Sequence, residues 1–256
     1  MRFEILGRLR VASQAGPQFL TAPKREVVLA TLLLRANQVV SVEKLVTEVW
    51  GQVPPRTATA ALHVHVSQLR KYLAESCGLD NRILTCSPGY LIRVGPGELD
   101  LDVFQAEVAR GRELVRGGRH EEAVAVFHTA LAMLREPALN EINGGSIITS
   151  FLSWLEEVRL ECLELLVESK LALGWHRELV SHLHSLVRED PLHEGFCRLL
   201  MLTLYRCDRR AEALQVYQNA RAVLRRELGL EPCRALSDLH RAILTADERV
   251  SSFCTG

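Results

Sequence analysis

The chain has 256 residues, 48% of them hydrophobic, 24% charged and only 5% aromatic. These values exclude a disordered, collagenous or rod-like chain and indicate a globular protein of about two domains with an aliphatic core. The formal net charge is zero, yet residues 1–96 hold 12 Lys and Arg against 6 Asp and Glu, and residues 97–256 hold 19 against 25. A basic half followed by an acidic half suits a polyanion-binding domain joined to a second module.

The start, Met1-Arg2-Phe3-Glu4, lacks the apolar core of a signal peptide. The longest apolar stretch, Val27 to Leu34, is 8 residues and includes Thr31, far short of the ~20 that span a bilayer. The seven cysteines contain no Cys-x-x-Cys pair and read as buried free thiols of a reducing compartment. A cytoplasmic protein without a membrane partner is expected.

Phe3-Glu4-Ile5-Leu6 and Leu9-Arg10-Val11-Ala12 read as strands broken at Gly7, Ala15-Gly16-Pro17 as a turn, and Phe19-Leu20 as the start of a third strand. A first helix is expected from Lys24, behind Pro23, to about Arg35, with Val27, Ala30 and Leu34 on one face. Ser41 is an N-cap candidate for a second helix, whose face carries Leu45, Val46, Val49 and Trp50, and Gly51 ends it. Pro54-Pro55 makes an extended link. Thr57 can cap a third helix running to about Glu75.

The third helix carries the most information. Ala58, Leu62, Val66, Leu69 and Leu73 form a core stripe, while Thr59, His63, Ser67, Arg70 and Lys71, with small Ala60 among them, lie opposite. Such a front fits a DNA major groove: small residues permit close approach and cations meet phosphates. A solvated amphipathic helix has the same pattern. Ile83-Leu84-Thr85-Cys86, Ser87-Pro88-Gly89 and Tyr90-Leu91-Ile92-Arg93-Val94 then read as a β-hairpin. Three helices followed by a hairpin is the winged-helix arrangement.

Residues 41–51 (Ser-Val-Glu-Lys-Leu-Val-Thr-Glu-Val-Trp-Gly), Pro54-Pro55, His65-Val66-Ser67-Gln68-Leu69-Arg70-Lys71 and Gly89-Tyr90 resemble the DNA-binding domain of OmpR-type winged-helix regulators. The resemblance implies that the helix from Thr57 is the recognition helix. His63, His65, Ser67, Arg70, Lys71 and Thr59 are then candidate DNA contacts, with Arg56 and Thr57 at its N-terminus and Arg93 as a phosphate contact on the wing. His65 borders the core stripe, so a structural role fits it as well. Trp50 either meets a phosphate through its indole N–H or packs between helices. Where such regulators often carry further Arg on this helix, the chain has Ala60, Ser67 and Gln68, which implies reliance on dimerisation or a partner. About 20 residues precede the first helix, so no phosphoacceptor module is expected ahead of it.

After Gly95-Pro96-Gly97 and Leu99-Asp100-Leu101-Asp102-Val103-Phe104, helix signals run almost to the end. They fit degenerate tetratricopeptide registers: Gly111, Leu114, Ala123, Phe127, Ala130 and Pro137; Leu179, Leu183, Leu186 and Pro191; Ala213, Tyr217 and Ala220. From 179 to 213 the step is 34, the expected period, and from 123 to 179 it is 56, a surplus of 22 assigned to the stretch 136–155. Residues 246–256 read as a frayed tail. The expected fold is mainly α: an N-terminal winged helix of small antiparallel sheets plus three helices over 1–96, an all-α tetratricopeptide-like domain over 97–250, and a tail at 251–256.

The order winged helix, Leu-Asp-Leu-Asp-Val-Phe, helical repeats, with Arg209 to Tyr217 and Glu227-Leu228-Gly229-Leu230-Glu231-Pro232, resembles the bacterial transcriptional activator domain. The combination is similar to the small antibiotic-regulatory-protein activators of actinobacteria. That resemblance implies an activator of biosynthetic gene clusters that binds direct repeats near the −35 region as side-by-side protomers, a homodimer on DNA, and recruits RNA polymerase holoenzyme. Cys207-Asp208 departs from the family, which often has Gly in that turn.

Other classes fit less well. No GxGxxG or GxxxxGK[ST] loop and no local catalytic arrangement occurs, so neither an enzyme nor a cofactor is expected. His63-Val64-His65 and His182-Leu183-His184 point their imidazoles about 200° apart on a helix, which is poor for chelating a metal. A helical-repeat scaffold for protein interaction, or a repressor that blocks a promoter, remain the alternatives to activation.

Overall fold

The computed structural model describes residues 2–13, 16–135, 139 and 142–247. The architecture is mainly helical with two small antiparallel sheets, as the sequence predicts. The chain divides into two compact units, residues 1–109 with 129–159 and residues 110–128 with 160–256. No helix among the described residues is long and apolar enough to cross a membrane.

In the first unit β1 (Arg2–Glu4), β2 (Arg10–Ser13) and β3 (Gly16–Phe19) form a sheet in that order. Phe3 faces Val11 across β1 and β2, and both are buried. β1 stops at Glu4, short of the expected Leu6. The amides of Ile5 and Leu6 donate instead to the Asp100 carboxylate, at 2.9 and 3.2 Å. Gly16 and Pro17 belong to β3 rather than to a turn, with Pro17 opposite Ala12; an edge strand tolerates the missing N–H. Ala15 lies outside the described residues.

Helices α1 (Pro23–Leu34), α2 (Val42–Trp50) and α3 (Ala58–Cys77) pack on one another. Their shared core includes Val28, Leu32, Leu45, Leu62, Val66 and Leu69. The Ser41 hydroxyl caps α2 as expected, accepting from the Lys44 amide at 3.2 Å. The second sheet holds β4 (Val40–Ser41), β5 (Ile83–Cys86) and β6 (Gly89–Ile92) in the order β4-β6-β5. The hairpin is the one predicted. The two-residue β4 is too short to show alternation in sequence. At the hairpin's exit, the Asn37 side chain donates to Val94 O at 2.9 Å and accepts from Val94 N at 3.0 Å.

Four helices follow the hairpin and are paired by short turns: α4 (Asp100–Arg116) with α5 (His120–Met133), and α6 (Ser146–Ala172) with α7 (His176–Glu189). The first unit takes the opening turns of α4, the end of α5 and the start of α6. Two buried carboxylates organise it. Asp100, at the start of α4, receives the two amides above and lies 3.5 Å from Arg135, which also pairs with Glu4 at 2.9 Å. Burial is the largest influence on Asp100 and raises its pKa. Glu48 of α2 accepts from Ile147 N at 2.9 Å and from the Ser146 hydroxyl at 3.2 Å, so a side chain of α2 caps α6. Gly145 is a close approach: a Cβ there would stand 2.8 Å from the Glu48 carboxylate.

In the second unit α8 (Glu194–Arg206), α9 (Arg210–Leu228) and α10 (Arg234–Thr245) continue the stack. The repeat is visible in three equivalent turns. The Arg119 amide donates to Leu114 O at 2.9 Å, Trp175 to Lys170 O at 3.0 Å and Arg209 to Leu204 O at 2.9 Å. Before each donor stands a left-handed residue: Gly118 at φ 67°, Gly174 at 82° and Asp208 at 60°. Asp208 thus adopts the turn conformation that Gly serves elsewhere, which Asp tolerates better than most residues. The registers predicted from sequence are buried at Ala123, Phe127, Ala130, Leu179, Leu183, Leu186, Ala213, Tyr217 and Ala220. Pro137 lies outside the described residues. The surplus between repeats is shared by the connection from α5 to α6 and by α6 itself, 27 residues long against 14 for α7.

The described cysteines are free, but not all are buried. Cys77, Cys162 and Cys197 are, whereas Cys86 and Cys207 are half-buried and Cys233 is exposed at the start of α10. Cys254 and the tail 251–256 lie outside the described residues.

Candidate nucleic-acid interface

The expected stripe of α3 is the buried one: Ala58, Leu62, Val66, Leu69 and Leu73 are each at most 3% exposed. Opposite it Thr59, Ala60, His63, Val64, Ser67, Gln68, Arg70 and Lys71 are exposed. Arg56 and Thr57 are exposed just before the helix. Thr57 occupies the N-cap position, but its side chain makes no cap bond. Its ψ of 3° is not the extended conformation that brings a cap hydroxyl onto the first-turn amides. Glycine 78, left-handed at φ 62°, ends α3 two residues beyond the expected Glu75.

The hairpin is fastened along α3 by side chains that the sequence assigned to DNA. Arg70 Nε donates to Ile83 O at 2.9 Å and its Nη2 to the Thr85 hydroxyl at 2.8 Å. Its guanidinium also lies 5.8 Å from the centroid of the Tyr90 ring. Arg70 lies off the core stripe, yet these contacts make it a tie between α3 and β5. His63 Nδ1 is 2.6 Å from the Tyr90 hydroxyl. Arg93, expected on the wing, follows β6 at the hairpin's base, where its amide donates to Arg82 O. The hairpin turn, Ser87-Pro88, is at the other end. Lys71 is exposed and pairs loosely with Glu75 at 3.8 Å, which leaves its ammonium open to a phosphate at little cost.

On the other flank of α3 the Trp50 ring stacks on His65, centroids 6.0 Å apart at 26°. Lys24 Nζ lies 4.9 Å from the same indole. Trp50 therefore packs between α1 and α3. Burial, and then the charges of Lys24 and Arg25, lower the His65 pKa, with a bond to Gln68 opposing them. His65 is a neutral packing group at pH 7 in this setting, with Nδ1 buried and unpartnered among the described residues.

Two residues of this surface were missed. Val64 is 54% exposed on α3, where alternation with His63 and His65 suggested nothing. Tyr90 was quoted only within a motif; its role depends on pairing β6 with α3, which local sequence does not reveal. Below the hairpin, Arg82 grips Glu98 through two bonds of 2.7 and 2.9 Å. Arg82 is the main cause of the lowered Glu98 pKa, with the Gly95 amide contributing. Among the described residues no group of three or more His, Cys, Asp or Glu could hold a metal. The surface thus offers donors, small groups and cations beside a hairpin: chemistry for base edges and phosphates.

Comparison with known proteins agrees. Residues 18–92 match the model of the C-terminal domain of transcriptional regulatory proteins, and residues 99–244 match the bacterial transcriptional activator domain. The chain is 34% identical over 254 residues to Regulatory protein DnrI of Streptomyces peucetius, covering 96% of this chain and 93% of that one. It is 33% identical over 253 residues to Regulatory protein AfsR of Streptomyces griseus, of which it spans 25%. The solved structure of Mycobacterium tuberculosis EmbR in complex with a low affinity phosphopeptide superposes with a TM-score of 0.91 at 30% identity, covering 99% of this chain and 68% of that one. The two matched domains follow one another as the winged helix and the helical repeats do in the fold. The chain belongs to the antibiotic-regulatory-protein family of DNA-binding transcriptional activators, which join an OmpR-type winged helix to a bacterial transcriptional activator domain and are not enzymes.

Proposed function

We propose that the protein activates biosynthetic, secondary-metabolite promoters from the cytoplasm, on the nucleoid. Two protomers bind tandem direct repeats near the −35 region as a homodimer on DNA, each seating α3 in a major groove, and recruit RNA polymerase holoenzyme. Residues 1–96 carry DNA binding and residues 97–250 form the activator module. Arg56, Thr57, Thr59, His63, Ser67 and Lys71 meet the DNA directly. Arg70, Arg93, Trp50 and His65 hold or flank the surface. The observation that carries this reading is the open front of α3: small, hydroxyl, imidazole and cationic side chains over a fully buried stripe. Cations on phosphates supply most of the affinity, and base contacts add about 1–3 kcal/mol for each good bidentate pair.

The test is DNase footprinting on promoters adjacent to the gene across a salt series, followed by reconstituted transcription. A protected tandem repeat, affinity falling steeply with salt and more transcript on addition of the protein are expected. Absence of protection at low salt overturns the reading, and reduced transcript from a protected promoter replaces activation with repression.

A further inference from the structure

The pair His63 and Tyr90 has a chemical consequence beyond packing. Tyr90 is 6% exposed and is held under the Arg70 guanidinium, itself bonded to Ile83 and Thr85. Its hydroxyl is 2.6 Å from His63 Nδ1, with the two rings 66° apart, and has no other partner among the described residues. A phenol O–H is a better donor than a neutral imidazole N–H, and an imidazole lone pair a better acceptor than a phenol oxygen. The bond therefore runs from the Tyr90 hydroxyl to Nδ1, and the hydrogen on one ring nitrogen follows from the bond made by the other. Nε2 then carries the proton. It has no partner among the described residues, and the side chain is exposed on the front of α3.

We propose that Tyr90 is a positioning residue for base recognition: it locks His63 in the Nε2–H tautomer, so the imidazole presents one donor to the major groove. A donor there selects an acceptor edge, a purine N7, guanine O6 or thymine O4, and discriminates against cytosine, whose edge offers an amino group. The inference rests on α3 being the recognition helix. It adds what α3 reads at one position and which wing residue sets the reading.

The test combines two readouts on the full chain. Imidazole nitrogen NMR of His63 should show Nε2 protonated and Nδ1 bare, and Tyr90→Phe should mix both tautomers. Affinities for a footprinted half-site and its single-base variants should show Tyr90→Phe losing roughly five- to tenfold discrimination at one base pair, with random-sequence DNA bound as before. His63→Ala should lose the same discrimination, and adding Tyr90→Phe to it should change nothing further. Protonated Nδ1 in the wild type, or discrimination retained in Tyr90→Phe, overturns the proposal while leaving α3 as the recognition helix. Protonated Nε2 together with no half-site preference in the wild type overturns the recognition-helix reading, and the proposal with it.

Discussion

Replacing Glu48 by Ala should destabilise the first unit by about 2–3 kcal/mol. Glu48 is 2% exposed, and its carboxylate accepts from Ile147 N at 2.9 Å and the Ser146 hydroxyl at 3.2 Å at the start of α6. Loss of a helix cap costs about 1 kcal/mol, and loss of an anion at a partly buried helix N-terminus up to about 2. The orphaned Ile147 amide, at about 1–3 kcal/mol, is the same bond viewed from the donor and is not counted again. Working against these, Oε2 is buried without a partner among the described residues, so its removal recovers part of a desolvation cost. Glu48→Gln keeps the acceptor for Ile147 and loses the charge, and should cost about 1 kcal/mol. For a chain of this size, Glu48→Ala should melt roughly 5–10 °C lower. Calorimetry and urea unfolding measure the loss, and hydrogen exchange locates it at the Ile147 amide. An unchanged midpoint with Ile147 still protected would refute the role assigned to this carboxylate.

Leu69→Ala truncates a fully buried side chain on the α3 stripe and should cost about 2–5 kcal/mol; unchanged thermal stability would count against the register. Arg70→Ala should cost about 1 kcal/mol and raise hydrogen exchange in β5 before the rest of the unit, alongside weaker DNA binding; β5 protection equal to wild type would remove its role as a tie. The lowered Glu98 pKa means stability present above the ordinary Glu range near ~4.3 and lost as pH falls through the lower folded value. Glu98→Gln should erase that part of the acid-unfolding profile, and superimposable profiles would contradict it. Asp208→Gly should be neutral or slightly stabilising, and Asp208→Val should cost about 1–2 kcal/mol at φ 60°; equal melting of the two variants would dispose of the strain argument.

Periodicity, with cap and turn residues, made the first three helices and their buried faces legible. The stripe Ala58, Leu62, Val66, Leu69 and Leu73 and the repeat positions Ala123, Leu179 and Ala213 are legible because a helix puts every third or fourth residue on one side, and a core accepts apolar side chains there. The hairpin is legible from its apolar runs and its Pro-Gly turn. Interactions across long separations are not. Glu48 sits on an amphipathic helix like any acidic residue until Ile147, 99 positions away, brings an amide to it. Asp100 looks like a first-turn acid until the chain folds Ile5 and Leu6 onto it and ends β1 early. For the candidate site, the exposed face of α3 was readable, but the division of labour on it was not. β5 and β6 place partners beside Arg70 and His63 and leave Lys71 open. Helical faces follow from local geometry, whereas the partners of polar groups follow from how distant segments meet.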